Sequence, residues 1–599
     1  MTEERRNNEN GESPVSLPVG LSRRRFLKRV GVVGGLAMAG GTLSTLLTAC
    51  GGSSSTSTAA SNAATTSTAA ASTATTAGST ATQSSGGSSA TPSSASTAAS
   101  TATTASSSTA PAGKVTRGGT LTWAYTSSPQ KLDPIWSQAL VDETVMVPMI
   151  EAPARANRDG SGVEPAIAQK WDVSTDGLTY TLNLRPNVKF HDGTTVTSAD
   201  VVASLQRNKA MGSYMWQLQD ATSIEAVDDS TVKIVLGVKI ASMLARLAVP
   251  ANGVFPASEI QKIGKNEFTA PIGTGPFKLK EWVRNDHFTM AANPDYWDMA
   301  PDGKPYPYVD QVIIKQVAEV TTQVLQVQAG QLDGGSAPYS QVKTLQNDSK
   351  GQLISAPQQQ VYFMVVQTTK PPFDDVKVRQ AMSLALDRKV LVDQATAGTA
   401  TVANSFFPKG TLDWDPDLTL PFDVAKAKQL IAQSKYPQGH KGAKLQYPSG
   451  AQIGHDNAVL CQQMWQAIGI DLTIEEVESS TLGNNWYASN YESISGYQWT
   501  NGMADPDQLV QFFFITPRMN SGYEPSKAAQ DLVTQASQEL DPAKRKQIYY
   551  QLQQIYNTDV GGTIDLYYTT NIAYISKNVQ GYYRSPLGFP YWWEFWRSK

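Results

Sequence analysis

Six side chains in this 599-residue chain carry the chemistry best suited to metal binding or nucleophilic attack: His191, His287, His440, His455, Cys50 and Cys461. No two histidines stand at the i, i+3 or i, i+4 spacing that brings two imidazoles to one face of a helix. Neither a zinc centre nor a histidine-rich nickel centre is indicated, and no cofactor or metal is expected. There is no Gly-x-Ser-x-Gly turn to present a serine nucleophile and no Walker loop to cradle phosphates. A secreted hydrolase is therefore the weak alternative, and the chain is expected not to be an enzyme. Cys461 lies in the apolar helical stretch Ala458-Val459-Leu460-Cys461 and reads as core filler.

Cys50 has a different setting. It ends an uncharged segment, Val30 to Ala49, that follows the basic cluster Arg23, Arg24, Arg25, Lys28 and Arg29. A polar start, a basic cluster and an apolar run in that order predict a signal peptide over 1–49. Ser22-Arg23-Arg24-Arg25-Phe26-Leu27-Lys28 resembles the twin-arginine export signal, with Arg23 and Arg24 as the paired arginines. Leu47-Thr48-Ala49-Cys50 resembles a lipobox, after which Cys50 becomes a lipidated N-terminus. Residues 51–113 are almost wholly Ser, Thr, Ala and Gly, which cannot build a core. The stretch 50–116 is thus expected to be a lipidated cysteine and a disordered tether, spanning roughly 40 to 45 Å as a flexible coil. The localisation that follows is the cell envelope, on the extracytoplasmic face of the membrane, lipid-anchored.

Charge narrows the partners. The chain holds 49 Lys and Arg against 52 Asp and Glu, and removing the seven basic and four acidic residues of the leader leaves 42 against 48, a net charge of −6. A mildly acidic body without a basic stripe argues against nucleic acid. A small ligand or a protein partner suits it better.

The elements that must position any site alternate in type. Thr179-Tyr180-Thr181-Leu182-Asn183-Leu184 and Thr231-Val232-Lys233-Ile234-Val235-Leu236 have the period of two of half-buried strands, and Gly118-Gly119-Thr120-Leu121-Thr122-Trp123 reads as turn then strand. Thr197-Ser198-Ala199-Asp200 has capping-box spacing for a helix reaching about Lys209. Asp374 or Asp375 caps a helix with Val378, Ala381, Met382, Ala385 and Leu386 on one face, and Asp541-Pro542 opens another. Interleaved strands and helices predict an α/β fold with mixed sheets.

Several of these stretches form an ordered set. Gln169 to Tyr180, Val188-Lys189-Phe190-His191-Asp192-Gly193, Gly273-Thr274-Gly275-Pro276-Phe277, Asn293-Pro294-Asp295-Tyr296-Trp297, Lys370 to Ala381 and Ala504-Asp505-Pro506-Asp507 resemble, in sequence and in order, the extracellular solute-binding proteins of the dipeptide, oligopeptide and nickel ABC importers (family 5). The resemblance implies a two-lobed clamp of the periplasmic-binding-protein type, with lobe one at 117–155, 270–358 and 563–599, an extra small domain grafted on it at 156–269, and lobe two at 359–562. It implies hinge crossings at Val361–Val366 and near Asp565–Tyr568. A ligand touching both lobes would then shift the population towards the closed form.

The same resemblance implies a monomer that captures a small molecule or short peptide and delivers it to an ABC permease with its ATPase subunits. A ligand-presenting sensor for a membrane receptor is the alternative. Peptide-binding members hold the peptide amino group with an Asp that, counted back from Asp505, falls here on Gly502, while the family's pocket tryptophan is present as Trp499. The stretch Pro448-Ser449-Gly450 replaces the arginine that takes a peptide carboxylate, so a free dipeptide would bury two unpaired charges. The implied ligand set is aromatic and neutral, namely Trp136, Gln138, Tyr447, Trp499, Thr500, Asn501 and Gly502, and suits an uncharged polar ligand.

Overall fold

A computed structural model describes residues 115–137, 139–411, 413–500, 502–515 and 521–598. The export signal at Arg23 and Arg24, Cys50 with its tether, Gln138 and Asn501 lie outside the described residues. The fold is mixed α/β, as the sequence predicts, and the elements read from periodicity are present. Strands run at Thr120–Tyr125, Thr179–Leu184 and Thr231–Leu236, and helices at Ser198–Ala210, Val376–Leu384 and Pro542–Asp559. Asp200 accepts hydrogen bonds from the Thr197 N–H and hydroxyl, both at 2.8 Å, and Asp375 and Asp541 cap the other two helices.

The principal sheet has eleven strands. Two long neighbours, Gly351–Val366 and Thr563–Ser576, run antiparallel through its middle. On one side the sheet continues through Gly334–Ser336, Thr120–Tyr125, Gln311–Gln316, His287–Ala292 and Phe277–Val283, and on the other through Ser493–Thr500, His440–Pro448 and Ile470–Val477. The two long strands therefore carry the chain between two halves. Their register is regular from Gly351↔Ser576 to Pro357↔Thr570, breaks, and resumes at Val361↔Tyr568, with a second shift at Tyr362/Phe363.

The main break precedes the crossing expected at Val361–Val366. Pro357 has no N–H to offer the ladder, and Gln358, Gln359 and Gln360 follow it, all buried. Their side chains take over the lost bonding: Gln359 donates to the Gly160 and Gly410 carbonyls at 3.3 and 2.7 Å, and Gln360 bridges Thr500 and Thr569. A hydrophobic pattern points to the strand, and the polar triplet marks where it is interrupted.

A separate four-stranded antiparallel sheet, ordered Ala168–Val173, Thr179–Leu184, Thr231–Leu236 and Ala221–Asp228, packs on the helix Ser198–Ala210. Tyr180, Leu182 and Leu184 point into this core with Val232, Ile234 and Leu236, while Thr179, Thr181 and Asn183 stay half-buried. Burying each such aliphatic side chain contributes about 1.5–3 kcal/mol before chain entropy is counted. Gly273 and Gly275 meet a close constraint: a Cβ on them would stand 2.1 Å from the Met149 carbonyl oxygen and 2.4 Å from that of Pro148. Backbone contact requires glycine there. Cys461 is wholly buried in the core, and burial pushes its thiol well above the ordinary range.

Candidate functional site

A cavity lies where four distant parts of the chain meet. One wall is the segment after the helix Leu140–Met146, through Val147 to Ala156. A second is the stretch Ala245 to Pro250, beneath the four-stranded sheet, and a third is Gly502-Met503-Ala504. The C-terminal segment closes it with Leu587, Phe589, Tyr591 and Trp593. Small side chains make the space: Ala152, Ala154, Ala156, Ala166, Ala245 and Ala248 all line it. The result is a largely apolar, partly open site.

Two apolar groups fasten the third wall. Met503 packs with Tyr214, Ala245, Val249 and Ala251, and Ala504 packs with Leu587 and Phe589. Beneath them, two ion pairs hold the turn that follows. Asp505 takes a bidentate pair from Arg545 at 2.6 and 2.8 Å, and Asp507 accepts from Arg246 at 2.7 and 3.1 Å and from the Ser242 hydroxyl at 2.7 Å. All four charged side chains are buried. Burial works against the Asp507 carboxylate, but Arg246, Ser242 and Arg545 outweigh it and hold the group below the ordinary range. Burial also opposes the Arg545 cation, and Asp505 with Tyr549 and Asp413 outweighs that too.

The polar groups of the first wall are largely committed. Glu151 accepts from the Thr274 hydroxyl at 2.8 Å, the Tyr296 hydroxyl at 2.9 Å and Trp297 Nε1 at 3.0 Å, and Arg155 is shared between Glu164 and Asp298. These groups shape the wall. They leave little capacity for a ligand.

Of the residues expected from sequence, Gly502 lines the cavity. Without a side chain it leaves room there, and a Cβ would stand 3.5 Å from Gln508 Oε1. Trp499 and Thr500 end the strand that leads to Gly502. Trp499 packs on Phe512 and Phe513 at 4.8 and 5.4 Å between ring centroids, with its buried Nε1 unpaired. Thr500 faces the other way, accepting from Gln360 and lying beside Gly588. Trp136 is half-buried, also with an unpaired Nε1, next to Asp133, whose buried pair with Arg207 at 2.6 and 3.0 Å fixes the loop on the helix Ser198–Ala210. Tyr447 turns to His455 and donates to Glu476 at 3.3 Å, away from the cavity-lining residues. Among the described residues, no three His, Cys, Asp or Glu side chains gather to hold a metal ion.

Sequence reasoning passed over the alanine wall and both arginines. The partners of Asp505 and Asp507 lie 40 and 261 residues away, out of reach of any local pattern. An Asp-Pro-Asp next to apolar residues is the signal that buried cations are required somewhere in the chain.

Asp413 is the unresolved charge of this cluster. It is 1% exposed, neither carboxylate oxygen has a hydrogen-bond partner, and burial pushes its carboxyl up to about 7, with Arg545 pulling it down and Asp505 adding to the rise. In the unfolded chain an aspartate titrates near 4. Between about pH 4 and 7 the folded state therefore holds the extra proton, so stability falls as pH rises through that window. Asp413→Asn is expected to remove this slope and to be more stable than the wild type at pH 8, by on the order of 2–4 kcal/mol. Urea unfolding at pH 5 and pH 8 checks it; equal pH slopes in the two proteins would refute it.

The profile of the bacterial extracellular solute-binding proteins, family 5 middle region, matches residues 162–521. Heme-binding protein A of Haemophilus influenzae is 28% identical over 475 residues, covering 72% of this chain and 84% of that protein. Glutathione-binding protein GsiB of Escherichia coli K12 is 26% identical over 440 residues, covering 71% and 84%. Among solved structures, the periplasmic binding protein DppA of Helicobacter pylori, associated with an ABC transporter and in complex with the peptide STSA, superposes with a TM-score of 0.73 at 24% identity, over 81% of this chain and 99% of that one.

Proposed function

The chain belongs to the bacterial extracellular solute-binding proteins of family 5, and we propose that it captures a small solute in the cavity described above and delivers it to the permease and ATPase subunits of an ABC importer. The observation that carries this reading is the cavity's construction from Val147–Ala156, Ala245–Pro250, Gly502–Ala504 and the C-terminal segment. A solute touching all of these binds the closed arrangement best and shifts the population towards it. Relatives named for heme, glutathione and peptide show that the family does not fix the cargo, so the walls must. Alanine-rich walls favour an apolar body. One chain supplies every wall, which suits a monomer.

The lobes we assign are 117–155, 270–358 and 563–599 for the first, 156–269 for its grafted domain and 359–562 for the second. The two long central strands support this division, since both cross between the halves of the sheet. Binding is tested by native mass spectrometry of protein from its own source, which should show one solute per chain, lost when Ala248→Trp obstructs the cavity. Full occupancy of that variant would refute the site.

The body is proposed to stand on a lipid anchor at Cys50. No helix among the described residues is long and apolar enough to cross a membrane, and the lipobox-like Leu47-Thr48-Ala49-Cys50 follows an export leader. Cys50→Ala is expected to move the protein from the membrane fraction to the soluble one while solute binding persists. Retention of the variant in washed membranes would count against the anchor.

A further inference from the structure

The strands Ala154–Ala156 and Val163–Pro165 form a hairpin that, among the described residues, pairs only with itself as a separate two-stranded sheet. A ribbon that short has little stability of its own, so its position is set by what its faces and tip touch. Ala156 and Val163 pack with Ala504, Leu587 and Phe589, and Val163 also packs with the group that holds Met503 and Ala245. The hairpin thereby bridges the second, third and C-terminal walls, while Ala154, Arg155 and Ala156 line the cavity itself. Its base is anchored by Arg155 on Asp298 at 2.9 Å, and its tip is fastened to the C-terminal segment by Arg158. Arg158 pairs with both carboxylate oxygens of Glu594, lies 3.8 Å from the centroid of the Tyr583 ring, and accepts at its carbonyl from the Tyr583 hydroxyl. Two residues on, the Gly160 carbonyl accepts from Gln359 at 3.3 Å. The Arg158 and Glu594 side chains are 43% and 18% exposed, so water competes for the pair and its contribution is small. A marginal ribbon with a weak, solvent-reached fastening opens at far lower cost than the body of the lobe.

We propose that this hairpin is a strap over the cavity, and that the Arg158–Glu594 contact is the latch that sets how often it opens and so how fast solute passes. The proposal rests on the solute-binding reading for what passes, whereas the opening itself is a property of the chain. It is distinct from closure of the two lobes about the central strands: the hairpin, its anchor Asp298 and its latch Glu594 all belong to the first lobe and its grafted domain as assigned above, so the strap opens without the lobes parting.

The test uses a thiol as its probe. Ala245→Cys, on the second wall and packed with Val163, is made together with Cys50→Ser, and its labelling by N-ethylmaleimide is timed beside that of Cys461, which is wholly buried in a different core and reports opening of the whole fold. Adding Arg158→Ala is expected to speed labelling at position 245 about tenfold, and Glu594→Ala, which spares the contact with Tyr583, roughly threefold, with Cys461 unchanged in both. The two together should label no faster than Arg158→Ala, since they remove one contact between them. An unchanged rate at position 245 in Arg158→Ala, or equal acceleration at Cys461, overturns the strap. Control of solute is read separately by native mass spectrometry after dilution: copurified solute should leave Arg158→Ala faster than the wild type, and an equal rate of loss overturns the gating role. A wild type that carries no solute removes the solute-binding reading, and the labelling rates still decide whether the hairpin opens at its latch.

Discussion

Arg246→Met is expected to destabilise the folded chain by roughly 3–5 kcal/mol, the usual cost of leaving one partner of a buried ion pair alone. Asp507 would keep only the Ser242 hydroxyl as a close side-chain donor, in a site where both charged side chains are 2% exposed. Arg545 acts on Asp507 from farther away and is already bidentate with Asp505. The double variant Arg246→Met with Asp507→Leu should recover most of the loss, because it removes both charges from the interior. Urea unfolding of the two single variants and the double one measures this as a cycle. A loss below about 1 kcal/mol in Arg246→Met would mean that water or Arg545 compensates the carboxylate.

The sign of the pH effect follows from the lowered titration of Asp507. A carboxyl held below its unfolded range contributes stability that is present above about pH 4 and is lost as pH falls through the folded value. Wild type should therefore lose this contribution in acid, and Arg246→Met should show a shallower acid slope. The pair also joins Ser242 and Arg246, beside the second wall, to the turn behind Gly502-Met503-Ala504, so solute release should accelerate in the same variant.

Short-range patterns made the fold legible and long-range pairings hid the site. Tyr180, Leu182 and Leu184 announce one face of a strand because their spacing alone fixes which side is buried. Asp375 and Asp541 announce helix starts because a cap acts within three residues. The ordered blocks from Gln169 to Asp507 also carried the family, which the match over 162–521 shows. The interruption at Gln358–Gln360 was less visible, because three glutamines in a strand look like a weak strand until the register of the partner is known.

Cavity walls have no such signature. Ala154, Ala248 and Ala504 stand in three separate regions, each an ordinary small residue in its own setting, and only tertiary packing makes the space between them. Gly502 was reachable by counting from Asp505, and it does line the cavity.

Ala248→Trp should reduce solute affinity at least a hundredfold, or about 2.7 kcal/mol, while leaving the fold nearly as stable as before. Ala248 lines the cavity but is half-exposed and belongs to none of the packed apolar clusters, so an indole there enters empty space instead of a filled core. Overpacking a tight core costs about 1–3 kcal/mol of stability, and that cost is largely avoided at a partly exposed residue on a cavity wall. A bound solute has no such freedom: losing contact with one wall removes its preference for the closed arrangement, and with it the free energy that drives closure. Calorimetry with the solute recovered from wild type gives the affinity, and urea unfolding of the empty proteins gives the stability. Undiminished affinity would place the solute outside this cavity, and a large loss of stability would mean that Ala248 belongs to the packed core after all.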